Sequence, residues 1–108
     1  MWAYVIGFTD DLDEFLMVRS RKRGGWEMPG GRSLPDEEPV ETAKREFREE
    51  TGYDLKTEEG WKKPLEDGFV FFGFIGEGDP TRRSLQEILD VSLFHKLPED
   101  LAYPSVEY

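Results

Sequence analysis

The sequence predicts an α+β domain, within the broad α/β class, in which a β-sheet packs against one amphipathic helix. Two apolar, strand-like segments open the chain, a helix with well-marked ends lies in its middle, and further strand-like segments follow. The 108 residues suffice for one core, and no repeat or linker divides them. We therefore expect residues 1–108 to form a single domain.

Residues 2–8 and 14–19 are rich in aromatic and branched side chains, which favours two strands. The polar segment 9–13 between them is typical of a hairpin connection. Both strands are apolar at odd and even positions, so we expect both faces of the sheet to be covered. Residues 20–38 follow as a long loop rich in Gly and Pro, and loops of this length usually carry function.

The clearest helix is expected from Pro39 to Thr51. Proline suits the first helical position because its missing N–H has no intrahelical partner there. Gly52 supplies the end of the helix. An apolar stripe with helical spacing would face the sheet, and its members are Val40, Ala43 and Phe47.

Three later segments, 55–61, 68–75 and 87–94, are predicted to be strands. The last is ambiguous, because its apolar residues fit both periodicities, and we assign it to a strand. Residues 97–101 predict a turn or a short 3₁₀ segment.

One helix leaves one apolar face of such a sheet uncovered. We expect residues 97–108, or a second copy of the chain in a homodimer, to shield that face.

Charge and composition exclude several classes of function. The chain has 14 Lys and Arg against 24 Asp and Glu, a net charge of −10, which makes long nucleic acids poor partners. With no cysteine and one histidine, disulfides and Cys- or His-based zinc sites are excluded. No apolar run approaches the ~18 residues that a membrane span needs. The first residues lack the features of a signal peptide, so we expect a cytoplasmic protein.

The central helix carries a cluster of carboxylates. Glu46, Glu49 and Glu50 are three or four residues apart and share one edge, where like charges destabilise an isolated helix. Oxygen ligands of this kind suit Mg²⁺, which commonly links a few carboxylates to substrate phosphates. The alternative is a solvated charged face, which is the commoner meaning of a Glu-rich helix.

The residues around this cluster resemble the signature of the Nudix hydrolase family. That signature is Gly, five residues, Glu, seven residues, then Arg-Glu-hydrophobe-any-Glu-Glu-any-Gly-hydrophobe. Every specified position is filled, by Gly31, Glu37, Arg45, Glu46, Phe47, Glu49, Glu50, Gly52 and Tyr53. A chance match is on the order of one in a million. The chain departs from the common pattern at Leu34, often acidic in the family, and at Asp36, often glycine.

The resemblance implies a Nudix-type α/β/α sandwich with a mixed β-sheet, and hydrolysis of a pyrophosphate bond that depends on Mg²⁺ or Mn²⁺. It implies metal ligands in Glu46, Glu49, Glu50 and the Gly30 carbonyl, with Glu46 also orienting or deprotonating water. The family often adds a late acidic ligand, for which Glu87 and Asp90 are both candidates.

The remaining signature residues are expected to support this site. Arg45 would steer a carboxylate, with Glu49 as its nearest helical partner, and Glu37 would brace the loop. Gly31 and Gly52 are expected to serve backbone shape.

A local basic patch over residues 19–32 suits a short polyphosphate. Arg19 resembles a phosphate-contacting position of MutT-type members, and Arg23 and Arg32 are further candidates. Trp26 is a candidate for substrate contact, with packing as the alternative.

The substrate is expected to be a small nucleotide. We favour a MutT-like nucleoside triphosphate pyrophosphohydrolase that releases a nucleoside monophosphate and pyrophosphate. The alternatives are an ADP-ribose or dinucleoside polyphosphate hydrolase, or a nucleotide-sensing module without catalysis. MutT reads oxidised guanine with an asparagine, and this chain contains none.

Overall fold

A mixed β-sheet forms the body of the protein in a computed structural model that describes residues 1–98. The strands are β1 (Trp2–Phe8), β2 (Phe15–Ser20), β3 (Trp26–Glu27), β4 (Gly30–Arg32), β5 (Tyr53–Lys56), β6 (Lys62–Leu65), β7 (Gly68–Gly78) and β8 (Ile88–Phe94). The helix α1 spans Pro39–Thr51, and a 3₁₀ turn spans Pro80–Arg82.

The central pair of the sheet is β1 and β7, which run parallel from Trp2 opposite Gly68 to Phe8 opposite Phe74. The other strand pairs are antiparallel. The main path is β3-β2-β1-β7-β5, with β4 on β1, β6 on β7 and β8 on β2. The predicted mixed sheet is therefore confirmed.

The helix has the predicted bounds because its ends are locally encoded. Pro39 opens it, and the Glu38 backbone N–H donates to the Glu41 side chain at 3.0 Å. Gly52 ends it with a φ of 82°, a left-handed conformation that favours glycine, and its N–H donates to the Arg48 carbonyl at 2.9 Å.

The core lies between α1 and one face of the sheet. Its fully or nearly buried apolar side chains are Ala3, Val5, Leu16, Ala43, Phe47, Leu55 and Phe71. On the opposite face, Trp2, Tyr4, Phe72 and Phe74 are half-buried within the described part of the chain. The cover that we expected from residues 97–108 lies, beyond Pro98, outside the described residues.

Two expectations about strands were wrong. The loop predicted over 20–38 contains β3 and β4, which are held by pairing with β2 and β1. The strand predicted over 55–61 ends at Lys56, where β5 stops, and residues 57–61 connect it to β6, which pairs with the other half of β7. Within residues 1–98, no helix is both long and apolar enough to span a membrane.

Candidate active site

The carboxyl-terminal half of α1 lies against the turn between β3 and β4. The Gly30 N–H donates to Glu50 Oε1 at 2.8 Å, which fixes the side chain of Glu50 beneath this turn. Glu50 is only 8% exposed, so its carboxylate is removed from water with one backbone donor to compensate it. The turn and the helix therefore form one unit.

Glu46 packs directly on the backbone of Gly31. A Cβ atom at Gly31 would lie 2.5 Å from Glu46 Oε2, so a larger residue there would displace the Glu46 carboxylate. Glycine at this position therefore leaves room for the carboxylate beside the turn, a different role from the backbone shape that we expected, since the φ of Gly31 is not positive.

Arg45 contacts carboxylates of the helix and of the loop that precedes it. Its guanidinium donates to Glu37 at 2.8 and 3.0 Å, to Glu46 at 2.6 Å and to the Arg32 carbonyl at 3.0 Å. Its contact with Glu49 is longer, at 3.3 Å. We expected Glu49 to be the nearest partner on the helix, but Glu46 holds the shorter hydrogen bond, and Glu37 in the preceding loop adds two more.

Glu37 fastens the loop to the helix. Besides Arg45, its carboxylate accepts from the Leu34 N–H at 2.9 Å and from the Thr42 hydroxyl at 2.8 Å. These donors, Arg45 foremost, lower the pKa of Glu37 to about 2. The preceding Asp36 has a φ of 64°, so an aspartate makes the left-handed turn that the family often gives to glycine.

The cluster shows the electrostatic signs of crowded, buried carboxylates. Burial raises the pKa of Glu50 to about 8, with added repulsion from Glu46, Glu27 and Glu87. Burial also raises the pKa of Glu46, although Arg45 opposes the shift. Such groups need a proton or a cation to be stable as placed.

Of the two late acidic candidates, Glu87 is the one that interacts electrostatically with the cluster. Its charge raises the pKa values of both Glu46 and Glu50. Asp90 is exposed, and its carboxylate accepts a hydrogen bond from the Val91 N–H at 2.8 Å. Glu87 therefore acts on the charge of the cluster, whereas the carboxylate of Asp90 is engaged by its own strand.

The donor chemistry suits a hard divalent cation, since carboxylate oxygens and the Gly30 carbonyl are the available groups. As the side chains stand in residues 1–98, no three acidic or histidine groups are arranged to hold an ion together. Arg45 and the Gly30 N–H engage their oxygens instead. Arg45 Nη1, which contacts both Glu46 and Glu49, supplies positive charge between them.

The basic patch is partly committed to internal contacts. The Arg19 guanidinium lies 4.8 Å from the ring centroid of Trp26, and Trp26 meets Phe94 edge-to-face at 4.9 Å. Trp26 is only 8% exposed, which favours packing over contact with a base. Arg32 lies over the ring of Trp2 at 5.6 Å.

Arg23 makes an ion pair with Glu27 that the sequence did not lead us to predict. It donates to both oxygens of Glu27, at 2.7 and 2.5 Å, and Glu27 is only 5% exposed. The signal was the spacing of four residues between opposite charges, but the two lie in a turn and a short strand, not on a helix.

The structure combines a mixed sheet with an acidic helix edge that lies against a glycine turn, and sequence comparison shows which family of domains has this arrangement. The chain belongs to the Nudix family: the family pattern described as NUDIX domain matches residues 2–101.

A curated relative from Bacillus subtilis (strain 168), named "Putative 8-oxo-dGTP diphosphatase", is 36% identical over 81 residues. The match covers 70% of this chain and 54% of the relative, so the chain spans about half the length of that protein.

Two crystal structures show the same fold at higher coverage of this chain. A UDP-X diphosphatase has a TM-score of 0.73 and 26% identity, over 94% of this chain and 53% of that one. The Bacillus subtilis pyrophosphohydrolase BsRppH has a TM-score of 0.64 and 29% identity, over 91% and 64% of the two chains.

Proposed function

We propose that this protein hydrolyses a pyrophosphate bond in a small nucleoside diphosphate derivative, with Mg²⁺ or Mn²⁺ bound by Glu46, Glu49, Glu50 and the Gly30 carbonyl. The observation that carries the proposal is the buried, mutually repelling carboxylate cluster fixed against the Gly30–Gly31 turn. Phosphoryl transfer asks a protein chiefly for positioning and charge neutralisation. The relatives named above as diphosphatases or pyrophosphohydrolases support the same class of reaction.

The cation, when bound, supplies the charge neutralisation that the substrate phosphates and the carboxylates both require. Glu46 accepts a proton from the attacking water. The water oxygen bonds to phosphorus while the anhydride P–O bond breaks. The raised pKa of Glu46 suits a proton acceptor, and Arg45 holds its other oxygen in place. Glu37 orients Arg45 and does not touch the reacting atoms.

For the substrate we favour a nucleoside triphosphate, cleaved to a nucleoside monophosphate and pyrophosphate. The net charge of −10 disfavours long RNA, whose binding needs an extended cationic track. Arg19, at the end of β2, remains the candidate for phosphate contact in this proposal, and Arg32 lies close to the Gly30–Gly31 turn in sequence. An ADP-ribose or dinucleoside polyphosphate hydrolase is the second enzymatic candidate, and a nucleotide-sensing module without turnover is the third.

A panel of nucleotides with Mg²⁺ tests the proposal, with pyrophosphate and phosphate release followed separately. We expect pyrophosphate from triphosphates, and a loss of about a hundredfold or more in kcat/KM for Glu50→Gln. The matched control is Glu59→Gln, which removes one exposed carboxylate outside the cluster and is expected to keep full activity.

Two other outcomes of the nucleotide panel would change the proposal. Activity confined to ADP-ribose or dinucleoside polyphosphates would shift the substrate to the second candidate. A folded wild type that binds nucleotides without turning any of them over would replace hydrolysis by sensing.

A further inference from the structure

We propose that Arg83 is a positioning residue that fixes the loop between β7 and β8, residues 79–87, so that Glu87 stands beside Glu46 and Glu50. The inference rests on the proposed function, because it concerns how that site acquires its fourth carboxylate. It is carried by the hydrogen bonds of one arginine and of the backbone around it.

Arg83 closes the loop across its base. Its guanidinium donates to the carbonyl of Pro80 at 2.7 Å, near the start of the loop. It also donates to the carbonyls of Ile88 and Leu89, at 3.3 and 3.0 Å, just after the loop ends. The planar guanidinium thus donates to three backbone carbonyls at once. The single ammonium group of a lysine cannot reproduce this geometry.

The loop is also anchored to α1. The Ser84 N–H donates to the Glu49 carbonyl at 2.7 Å, which satisfies one of the carbonyls left open in the last turn of the helix. Glu49 is itself a member of the cluster, so this bond ties the loop to the helix segment that bears the carboxylates.

A third set of contacts holds the backbone of Glu87. Its carbonyl accepts from the Arg21 N–H at 2.9 Å, and the Arg21 side chain donates to the Leu85 carbonyl at 2.7 Å. The N–H groups of Glu87 and Ile88 both donate to the Ser84 carbonyl, at 3.2 and 2.9 Å. The main chain at Glu87 is therefore fixed, while its side chain is exposed.

This loop contributes little to the core. Residues 82 and 85–87 are exposed, and the buried Ile88 already belongs to β8. The loop backbone is thus held at several points, and the bond from Ser84 to Glu49 places it against the part of α1 that bears the carboxylates, with Glu87 three residues further on.

Four variants test the inference: Arg83→Ala, Arg83→Lys, Glu87→Gln and the double variant Arg83→Ala/Glu87→Gln. The matched control is Arg82→Ala, which removes the neighbouring exposed arginine. We expect Arg83→Ala to lower kcat by about 10- to 100-fold with little change in KM, and the control to leave both unchanged. Arg83→Lys, which keeps the charge and guards against loss of folding, is expected to recover little.

The double variant separates positioning from general stabilisation. If Arg83 acts through Glu87, the loss caused by Arg83→Ala disappears once Glu87 is already glutamine. Mn²⁺ affinity without nucleotide, titrated by electron paramagnetic resonance, should weaken in Arg83→Ala and show the same loss of additivity. Hydrogen exchange should accelerate at the amides of Glu87 and Ile88 in Arg83→Ala and not in Arg82→Ala.

Equal losses from Arg83→Ala in both backgrounds would overturn the inference while the proposed function stands. Unchanged exchange at the Glu87 amide would overturn it independently of activity. A folded wild type that neither turns over any nucleotide nor binds Mn²⁺ would instead overturn the proposed function, and exchange at the loop would still report whether Arg83 holds it.

Discussion

At the scale of single residues, Glu50 shows how this site stores electrostatic free energy. Its carboxylate is buried, receives one N–H donor from Gly30, and lies among other carboxylates. The pKa of about 8 means that, without a cation, the folded protein holds a proton there at neutral pH. Cation binding must displace that proton, so metal affinity is expected to rise with pH.

Glu50→Gln should therefore stabilise the metal-free protein at alkaline pH. The pKa of Glu50 is higher in the folded chain than the ordinary 4.5, so its contribution to stability is complete below about pH 4.5 and is lost as the pH rises through about 8. Glutamine cannot ionise and keeps an oxygen for the Gly30 N–H. At one pKa unit per 1.4 kcal/mol, the variant should gain several kcal/mol over wild type at pH 9 and almost nothing at pH 5.

Urea unfolding in EDTA at pH 5, 7 and 9 measures this difference. Glu59→Gln, which changes an exposed side chain, should show no comparable trend. A difference between Glu50→Gln and wild type that stays constant with pH would contradict the account.

The contacts of Arg23 and Trp26 could not be predicted from the residues themselves. Both belong to the segment predicted to be a long loop, and both were candidates for substrate contact. Arg23 is engaged by Glu27, and Trp26 is packed between Arg19 and Phe94. These contacts depend on β3 pairing with β2 and on β8 reaching the same region, which no local pattern encodes.

At the scale of elements, Glu37 and Arg45 join the 33–38 loop to α1. Glu37 accepts from Arg45, Thr42 and the Leu34 N–H, and Arg45 extends the network to Glu46. Arg45 thus links Glu37, in the loop, to Glu46, in the cluster.

Glu37→Gln should destabilise the protein by about 1–3 kcal/mol at pH 7, because it removes a charged acceptor and leaves Arg45 under-satisfied. The pKa of about 2 lies below the ordinary value, so Glu37 stabilises the fold above about pH 4.5 and loses that effect as the pH falls toward 2. The destabilisation should shrink accordingly in acid. Unfolding midpoints from pH 3 to pH 7, with Glu58→Gln as the exposed control, check this expectation. A loss that is equal at pH 3 and pH 7 would show that the charge of Glu37 is not involved.

Elements with local signals were predictable, and elements defined by pairing were not. Pro39 and Gly52 mark both ends of α1, and the prediction is confirmed at each residue. The alternation of Leu89, Val91 and Leu93 correctly indicated β8. In contrast, β3 has only two residues, too few to show a periodic pattern in the sequence. It is a strand because it pairs with β2.

The choice between Glu87 and Asp90 could not be made from the sequence for a similar reason. The β2–β8 register shifts between Arg19 and Ser20, so that Arg19 lies opposite Asp90 while Ser20 lies opposite Ile88. An irregularity of this kind changes the face of the sheet on which the neighbouring side chains lie. The spacing of residues in the sequence does not predict this shift in register.

At the scale of the whole molecule, the net charge of −10 opposes folding everywhere but is most costly at the cluster. Added salt screens the general repulsion over a Debye length of about 10 Å at 0.1 M. It does little for Glu50, which is buried, so general screening and specific cation binding should be separable.

Mg²⁺ or Mn²⁺ should therefore raise the melting temperature beyond the effect of NaCl at matched ionic strength. A cation at a hundred times its dissociation constant stabilises the folded state by about 2.7 kcal/mol, which is roughly 10–20 °C for a domain of this size. EDTA should return the protein to the value in NaCl, and Glu46→Gln should lose most of the specific gain. Melting curves by circular dichroism measure the difference, for wild type in NaCl, in the divalent cation and after EDTA, and for Glu46→Gln in the divalent cation. If NaCl alone reproduced the whole shift, the carboxylates would be acting only as part of a diffuse negative surface, and the proposed cation site would be wrong.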